Sequence, residues 1–178
     1  MNTSYSKCLI AYFSRKGNNY VNGRIVNLPV GNTEIVAQKI KDLTGGDLFE
    51  IKTSYSYPLD YYEATEVAKT ELENNLRPEL VNKVKNMEVY DLIFLGYPIW
   101  WNTFPTAVFS FLESYDFSTK IIAPFCTHEG SGAGRSVQDI QNLCPQTIVL
   151  PCLTIRGSMV NNSEPSIQSW LSKTQLIK

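Results

Sequence analysis

The run Leu92-Ile93-Phe94-Leu95-Gly96-Tyr97 constrains this chain more than any other segment. It is continuously apolar, with no alternate polar positions to face water. A strand of that kind is covered on both faces, and doubly covered strands belong to parallel sheets with helices on either side. Pro98 follows at once. The rest of the chain must therefore supply strands to pair with this one and helices to cover it.

Both are legible. Cys8-Leu9-Ile10-Ala11-Tyr12-Phe13 reads as a first strand and Leu48-Phe49-Glu50-Ile51 as a second. Ile121-Ile122-Ala123-Pro124-Phe125-Cys126 reads as the fourth and residues 147–153 as the fifth. Pro124 lacks the N–H that a central ladder uses, which blurs the limits of the fourth strand. Helical patterns occupy residues 33–43, with Ile35, Val36, Ile40 and Leu43 on one face, and then 63–74, 78–87, 105–114, 136–143 and 163–170. Gly45-Gly46 supplies a left-handed stop for the first helix, Pro78 suits the first turn of the third, and Ser163 is placed to cap the last. A length of 178 residues sustains one core and not two ordinary domains. Residues 1–178 thus read as a single α/β domain, a three-layer doubly wound sandwich around a five-stranded parallel sheet.

Composition removes several classes of function. The chain is 43% hydrophobic and 19% charged, a globular balance, and its net charge of -1 gives no broad attraction to nucleic acid or to an anionic membrane. No apolar stretch has the length of a membrane span, and the start MNTSYSKCLIAYF lacks the features of a signal peptide, so the expectation is a cytoplasmic protein. Cys8, Cys126, Cys144 and Cys152 form no C-x-x-C pair, and the single histidine, His128, cannot complete a His-rich metal site. These cysteines read as reduced structural thiols, with no metal expected.

In a doubly wound sheet, ligands bind beyond the carboxyl ends of the strands, near the point where strand order reverses. The loops after the first, third and fourth strands are each unusual. After the first come Ser14, Gly17 and Asn18, then Gly31-Asn32-Thr33 opening a helix. That pattern serves either as an ordinary strand-to-helix turn or as a wrap of backbone N–H groups around a phosphate, aided by the helix dipole. After the third strand come Pro98-Ile99-Trp100-Trp101-Asn102. Adjacent tryptophans point in different directions, so one can plug the core while the other covers a flat ligand. After the fourth comes Thr127-His128-Glu129-Gly130-Ser131-Gly132-Ala133-Gly134, whose glycines let backbone approach a ring system. His128 reads equally as a solvated loop histidine, and no Gly-x-Ser-x-Gly elbow supports a hydrolase.

Taken together, Tyr12-Phe13-Ser14, Gly31-Asn32-Thr33, Tyr97 to Trp101, and Thr127 with Gly130-Ser131-Gly132 resemble the flavodoxin family. The match is closer to a bacterial branch marked by a Y-F-S start, a Y-P-I-W-W loop and a T-x-x-G-S-G loop, and it spans nearly the whole chain. The resemblance implies a flavodoxin-like strand order 2-1-3-4-5 and FMN as the cofactor. It implies that Ser14, Asn32 and Thr33 hold the phosphate, with Arg15 and Gly31 contributing backbone. Pro98, Ile99, Trp100, Trp101 and Asn102 would border the isoalloxazine, Trp100 as the stacking ring. Thr127, His128, Glu129, Gly130, Ser131 and Gly132 would line its other edge.

Two departures from the family pattern stand out. The segment from Asn19 to Val30 separates two Gly-Asn pairs that are normally close, which predicts an insert folded over the cofactor or forming a partner surface. Asn102 stands where relatives often carry Gly, at a peptide that flips toward N5 of the half-reduced flavin. Asn tolerates positive φ best among the other residues.

The function implied is electron transfer to a redox partner protein or a small-molecule acceptor. The alternative is an FMN-dependent NAD(P)H oxidoreductase acting on quinones or similar acceptors. In that case His128 or Tyr97 would donate a proton, and the loop from Tyr55 to Tyr62 would wall the acceptor pocket rather than lid the core. No Gly-x-Gly-x-x-Gly is present for a separate dinucleotide fold. A third reading is a module of this fold that has lost its cofactor. The near-neutral charge sets the chain apart from strongly acidic flavodoxins and predicts weak salt dependence of partner encounter.

Overall fold

The structure is a computed structural model and describes residues 7–176; the start of the chain, on which part of the signal-peptide reading rests, lies outside them. The apolar run forms β5 (Leu92–Pro98), buried along its length until Pro98. It pairs in parallel with β1 (Cys8–Tyr12) on one side and β6 (Ile121–His128) on the other. Beyond β1 lies β4 (Asp47–Glu50), and beyond β6 lie two short strands, β7 (Ile148–Val149) and β8 (Leu153–Arg156). The sheet is six-stranded rather than five-stranded, in the order β4-β1-β5-β6-β7, with β8 also pairing β6.

The extra strand arises from a break at the edge. In a parallel ladder a residue's N–H and C=O point to the same neighbour. The Ile122 carbonyl accepts from the Leu150 amide, so Pro124, two residues on, faces the same edge with no donor to offer. The edge strand lapses there, and the stranded carbonyl of Pro151 is taken by the Trp170 indole N–H at 2.8 Å. Pro124 is therefore tolerated inside a central strand, paired with Leu95 on its other side.

Alternation divides the core into two. Ile10, Tyr12, Phe94 and Phe125 face α1 (Asn32–Thr44) and α5 (Glu164–Lys173) through Val36, Ile40, Ile167 and Leu171. Leu9, Ala11, Ile93, Leu95 and Tyr97 face α3 (Thr106–Glu113) and α4 (Ser136–Leu143) through Val108, Phe111 and Ile140. Gly96 has no side chain because the Phe125 ring fills the space: a Cβ there would lie 2.1 Å from its Cζ. α1 ends at Gly45 in the left-handed conformation, φ 72°.

Three segments differ from their sequence patterns. Residues 78–87 are not helical, although Leu80, Val84 and Met87 have helical spacing. Leu80 bridges Thr53 in antiparallel fashion, with Val81 N–H on the Lys52 carbonyl and Ser54 N–H on that of Glu79. Those backbone groups find partners across a loop, and a single 3-10 turn, Met87–Val89, follows. Residues 17–28 form a hairpin, β2 (Gly17–Val21) against β3 (Arg24–Leu28). Ser163 does not cap α5 with its side chain; its buried hydroxyl donates back to the Val160 carbonyl at 2.7 Å. The remaining helix, α2 (Tyr61–Glu73), is capped by Asp60, whose carboxylate accepts the Glu63 N–H at 3.0 Å.

Among the described residues, no helix is long and apolar enough to cross a membrane, and no group of three or more His, Cys, Asp or Glu could hold a metal ion. All four cysteines are free, Cys126 and Cys144 buried and Cys8 and Cys152 half-buried.

Candidate functional site

Parallel strands deliver their following loops to one edge of the sheet. The loops after β1, β5, β6 and β8 meet there around a cleft of about 450 Å³. That size suits a small-molecule ligand.

One end of the cleft is built from hydroxyl and amide groups around the start of α1. A Cβ on Gly31 would lie 2.1 Å from Ser14 Oγ and 2.8 Å from the Arg15 carbonyl oxygen, so only glycine lets these two loops close together. Ser14 Oγ accepts the Glu34 N–H at 3.1 Å and so serves as a cap from outside the helix. The other first-turn N–H groups have no intrahelical acceptor. Asn32 and Thr33 line the cleft at that point. The Thr33 and Thr127 hydroxyls lie 2.8 Å apart and are buried, tying α1 to β6 beneath the cleft floor.

Arg15 contributes more than backbone. Its Nε and Nη2 donate to the Pro58 carbonyl, Nη2 also reaches those of Leu59 and Asp60, and Nη1 donates to that of Asn18 at 2.6 Å. Burial lowers its pKa, and the carboxylate of Asp60 acts in the opposite direction. The guanidinium thereby stitches the hairpin and the aromatic loop to the cleft rim.

The hairpin turns at Asn22-Gly23, both with positive φ, 51° and 86°. Asn19 and Tyr20 line the cleft, the Tyr20 ring lies 6.2 Å from that of Tyr61, and the Asn22 N–H donates to Glu129 Oε2 at 3.0 Å. The insert therefore spans from the Arg15 side of the cleft to the β6 side.

The other end is aromatic. Trp100 is wedged edge-on between Phe13 (5.4 Å, 83°) and Tyr57 (5.2 Å, 77°) while lining the cleft. Trp101 is 47% exposed, donates its indole N–H to the Thr65 carbonyl at 3.0 Å and has Lys69 Nζ 5.6 Å above its ring. Trp100 and Thr103 exchange backbone hydrogen bonds, which leaves Trp101 and Asn102 as a two-residue turn with φ of 51° and 69°. A bulky residue in that conformation is strained by roughly 1 kcal/mol or more. The Trp101 indole bond helps to hold it. Asn102 is exposed and does not line the cleft; its carbonyl accepts the Arg135 N–H at 2.9 Å.

The tyrosine loop divides. Tyr55 and Tyr57 donate their hydroxyls to Glu71, a buried carboxylate that also accepts from Thr106 Oγ1 at 2.6 Å. Tyr61 and Tyr62 open α2 and line the cleft.

The two candidate proton donors differ in access to the cleft. Tyr97 is fully buried, its hydroxyl 3.1 Å from Ser136 Oγ, and burial holds its pKa well above the ordinary value. His128 lines the cleft, but its Nδ1 accepts the N–H groups of Gly130 (2.9 Å) and Gly132 (3.2 Å). Nδ1 is therefore unprotonated. Partial burial lowers the His128 pKa further below the ordinary value, against the pull of Glu129.

Of the residues singled out by sequence, Ser14, Arg15, Asn32, Thr33, Pro98, Ile99, Trp100, Trp101, Thr127, His128 and Glu129 line one cleft. Gly31, Asn102, Gly130, Ser131 and Gly132 are not among its lining residues. Asn19 and Tyr20 of the expected insert also line it, although neither was named as a site residue, and sequence reasoning missed Ala64, Thr65, Glu66, Ala68 and Gly157. The Asn22-Gly23 pair flanked by Tyr20-Val21 and Ile25-Val26 was the hairpin signal that would have found the first two. Nothing local marks the others, since α2 and β8 come to the cleft through tertiary packing.

Comparison with known proteins agrees with this architecture. The flavodoxin family profile matches residues 7–174, and the chain belongs to that family. Among solved structures, a protein assigned as a flavoprotein from Bacteroides eggerthii is 28% identical, with a TM-score of 0.77, covering 97% of this chain and 99% of its own. Another so assigned, from Bacteroides uniformis, is 25% identical, with a TM-score of 0.74 and coverage of 95% and 99%. A flavoprotein from Lactobacillus acidophilus in complex with FMN shares the fold at 21% identity, with a TM-score of 0.62 and coverage of 92% and 97%. No curated protein sequence matches.

Proposed function

We propose that this chain binds FMN in the cleft and carries electrons between redox partners, one at a time. The observation that carries the reading is the convergence of an amide-and-hydroxyl nest at the start of α1 with an aromatic wall at Trp100-Trp101, on opposite ends of one cleft. FMN is an anion at one end and a flat ring system at the other, and it supplies the redox chemistry when bound. Ser14, Asn32 and Thr33 hold the phosphate, where the N–H groups and helix dipole favour negative charge. Pro98 to Trp101 border the ring on one side and Thr127 and His128 on the other. Counting the hairpin as an insert and β7 with β8 as one interrupted strand, the sheet corresponds to the flavodoxin-like order 2-1-3-4-5. The free cysteines suit a reducing compartment such as the cytoplasm.

Electron transfer is favoured over hydride chemistry because Tyr97, one of the two candidate proton donors, is sealed in the core, and His128 has Nδ1 engaged, leaving Nε2 alone to serve. Anaerobic reduction of the FMN-loaded protein tests this. Dithionite should reduce it in two one-electron steps, and NADPH alone should leave it oxidised. Rapid bleaching by NADPH, reversed by a quinone, would assign the protein as a reductase instead.

A further inference from the structure

Glu129 places a carboxylate at the end of the cleft where an anionic phosphate is expected, and one of its oxygens is without a partner. Oε2 accepts the Asn22 N–H at 3.0 Å and lies 3.7 Å from Arg156 Nε. Oε1 is buried and, among the described residues, has no hydrogen-bond partner. It lies against Gly157: a Cβ there would be 2.2 Å from Oε1 and 2.6 Å from Asn32 Nδ2. The absence of a side chain at Gly157 thus lets Glu129, Asn32 and the end of β8 converge on the cleft.

An ionised carboxylate only accepts, and an unsatisfied buried acceptor is costly. A hydroxyl or N–H donor offered from the cleft would satisfy it. Resting on the FMN reading above, the choice among parts of that ligand is narrow. The phosphate is an anion and is repelled by Glu129. The ring belongs with the aromatic wall at the other end. Between them lies the ribityl chain, which carries hydroxyl donors. We propose that a small turn of the Glu129 side chain brings Oε1 to a ribityl hydroxyl, while Oε2 keeps the hairpin tip through Asn22. Glu129 is then a binding residue for the polyol chain and the latch of the β2–β3 hairpin. Ligand binding and hairpin closure share one carboxylate.

The test compares three flavins on flavin-free protein: FMN, riboflavin, which lacks the phosphate, and lumiflavin, which lacks the ribityl chain. Glu129→Ala should weaken riboflavin about tenfold or more, the effect of losing a hydrogen bond to a charged acceptor, and leave lumiflavin within about twofold. Glu129→Gln keeps one acceptor oxygen and the side-chain volume; it should lose less for riboflavin and should not weaken FMN, since it also removes the repulsion. Gly157→Ala, which keeps the carboxylate but displaces it, should mimic Glu129→Ala. A second readout is trypsin cleavage at Arg24, an exposed residue of β3: FMN should slow it in the native protein and not in Glu129→Ala. Equal weakening of riboflavin and lumiflavin would overturn the assignment in favour of a contact with the ring or a structural role. Unchanged riboflavin affinity would overturn it as well. If the native protein bound no flavin at all, the FMN reading would fall first and this inference with it.

Discussion

Arg15 holds the cleft rim together, and its removal should loosen two segments while sparing the core. In Arg15→Ala the carbonyls of Asn18, Pro58, Leu59 and Asp60 lose their shared donor. Two Nη2 protons serve three of these carbonyls, so the contacts are fewer than the distances suggest. The site is half-buried, and water replaces part of what is lost. At about 1 kcal/mol for each contact that survives this discount, the local loss is about 2–4 kcal/mol. That corresponds to a rise of roughly 30- to 1,000-fold in the local opening equilibrium, confined to the segments concerned. Hydrogen exchange followed by mass spectrometry should show faster exchange in residues 17–28 and 58–60 and none in β1, β5 or β6. Global stability should fall by less, about 1 kcal/mol, because hairpin and loop open without the sheet. Arg15→Lys should recover only part of the protection, since a single ammonium cannot span carbonyls on both segments. Unchanged exchange in the hairpin, or exchange accelerated evenly through the sheet, would refute the rim-clamp account.

Other outcomes follow from the same geometry. Gly96→Ala should destabilise by about 1–3 kcal/mol in urea unfolding, because its Cβ collides with the buried Phe125 ring, and Phe125→Leu in the same chain should restore part of the loss. Glu71→Ala leaves the hydroxyls of Tyr55, Tyr57 and Thr106 without their acceptor and should cost about 3 kcal/mol, with a loss of near-ultraviolet circular dichroism from the Phe13, Tyr57 and Trp100 cluster. Tyr12 and Tyr55 are pushed up to about 12 by burial. A group whose pKa is raised by folding stabilises fully below its unfolded value near 10. That stability should disappear as pH climbs from 10 through 12, seen as tyrosinate absorbance rising together with unfolding. His128 has the opposite sense, since a folded pKa below the unfolded one favours the fold above about 6.5. Exchange of the Gly130 and Gly132 amides should quicken relative to their neighbours as pH falls below that value.

How much could be read beforehand depended on whether a segment's structure is decided locally. β5 and β1 were legible because double burial writes continuous apolarity into the chain. The three loops that reach the cleft were legible because parallel strands send them to one edge. Residues 78–87 were misread because helical spacing of Leu80, Val84 and Met87 also arises when a loop drops side chains onto a core; pairing with residues 52–54 decided the outcome, and that is a long-range contact. The break between β7 and β8 depends on Pro124 in a neighbouring strand, which periodicity within residues 147–153 cannot report. The hairpin is a different case. Asn22-Gly23 between β-branched and aromatic residues is a strong local signal, and it was passed over: the segment was read as an insert over the cofactor or a partner surface, with no strands assigned to it. The role of Arg15 was underestimated for the same reason, since its side chain grips that hairpin.

The measurement closest to the central claim is an equilibrium titration of flavin-free protein with FMN, followed by flavin fluorescence. The account predicts saturable quenching at one FMN per chain, weakened in Thr33→Val, which disturbs the nest, and in Trp101→Ala, which opens the wall. Fluorescence that stays unchanged through millimolar protein, or binding indifferent to both substitutions, would contradict it and leave the cleft without the ligand assigned here.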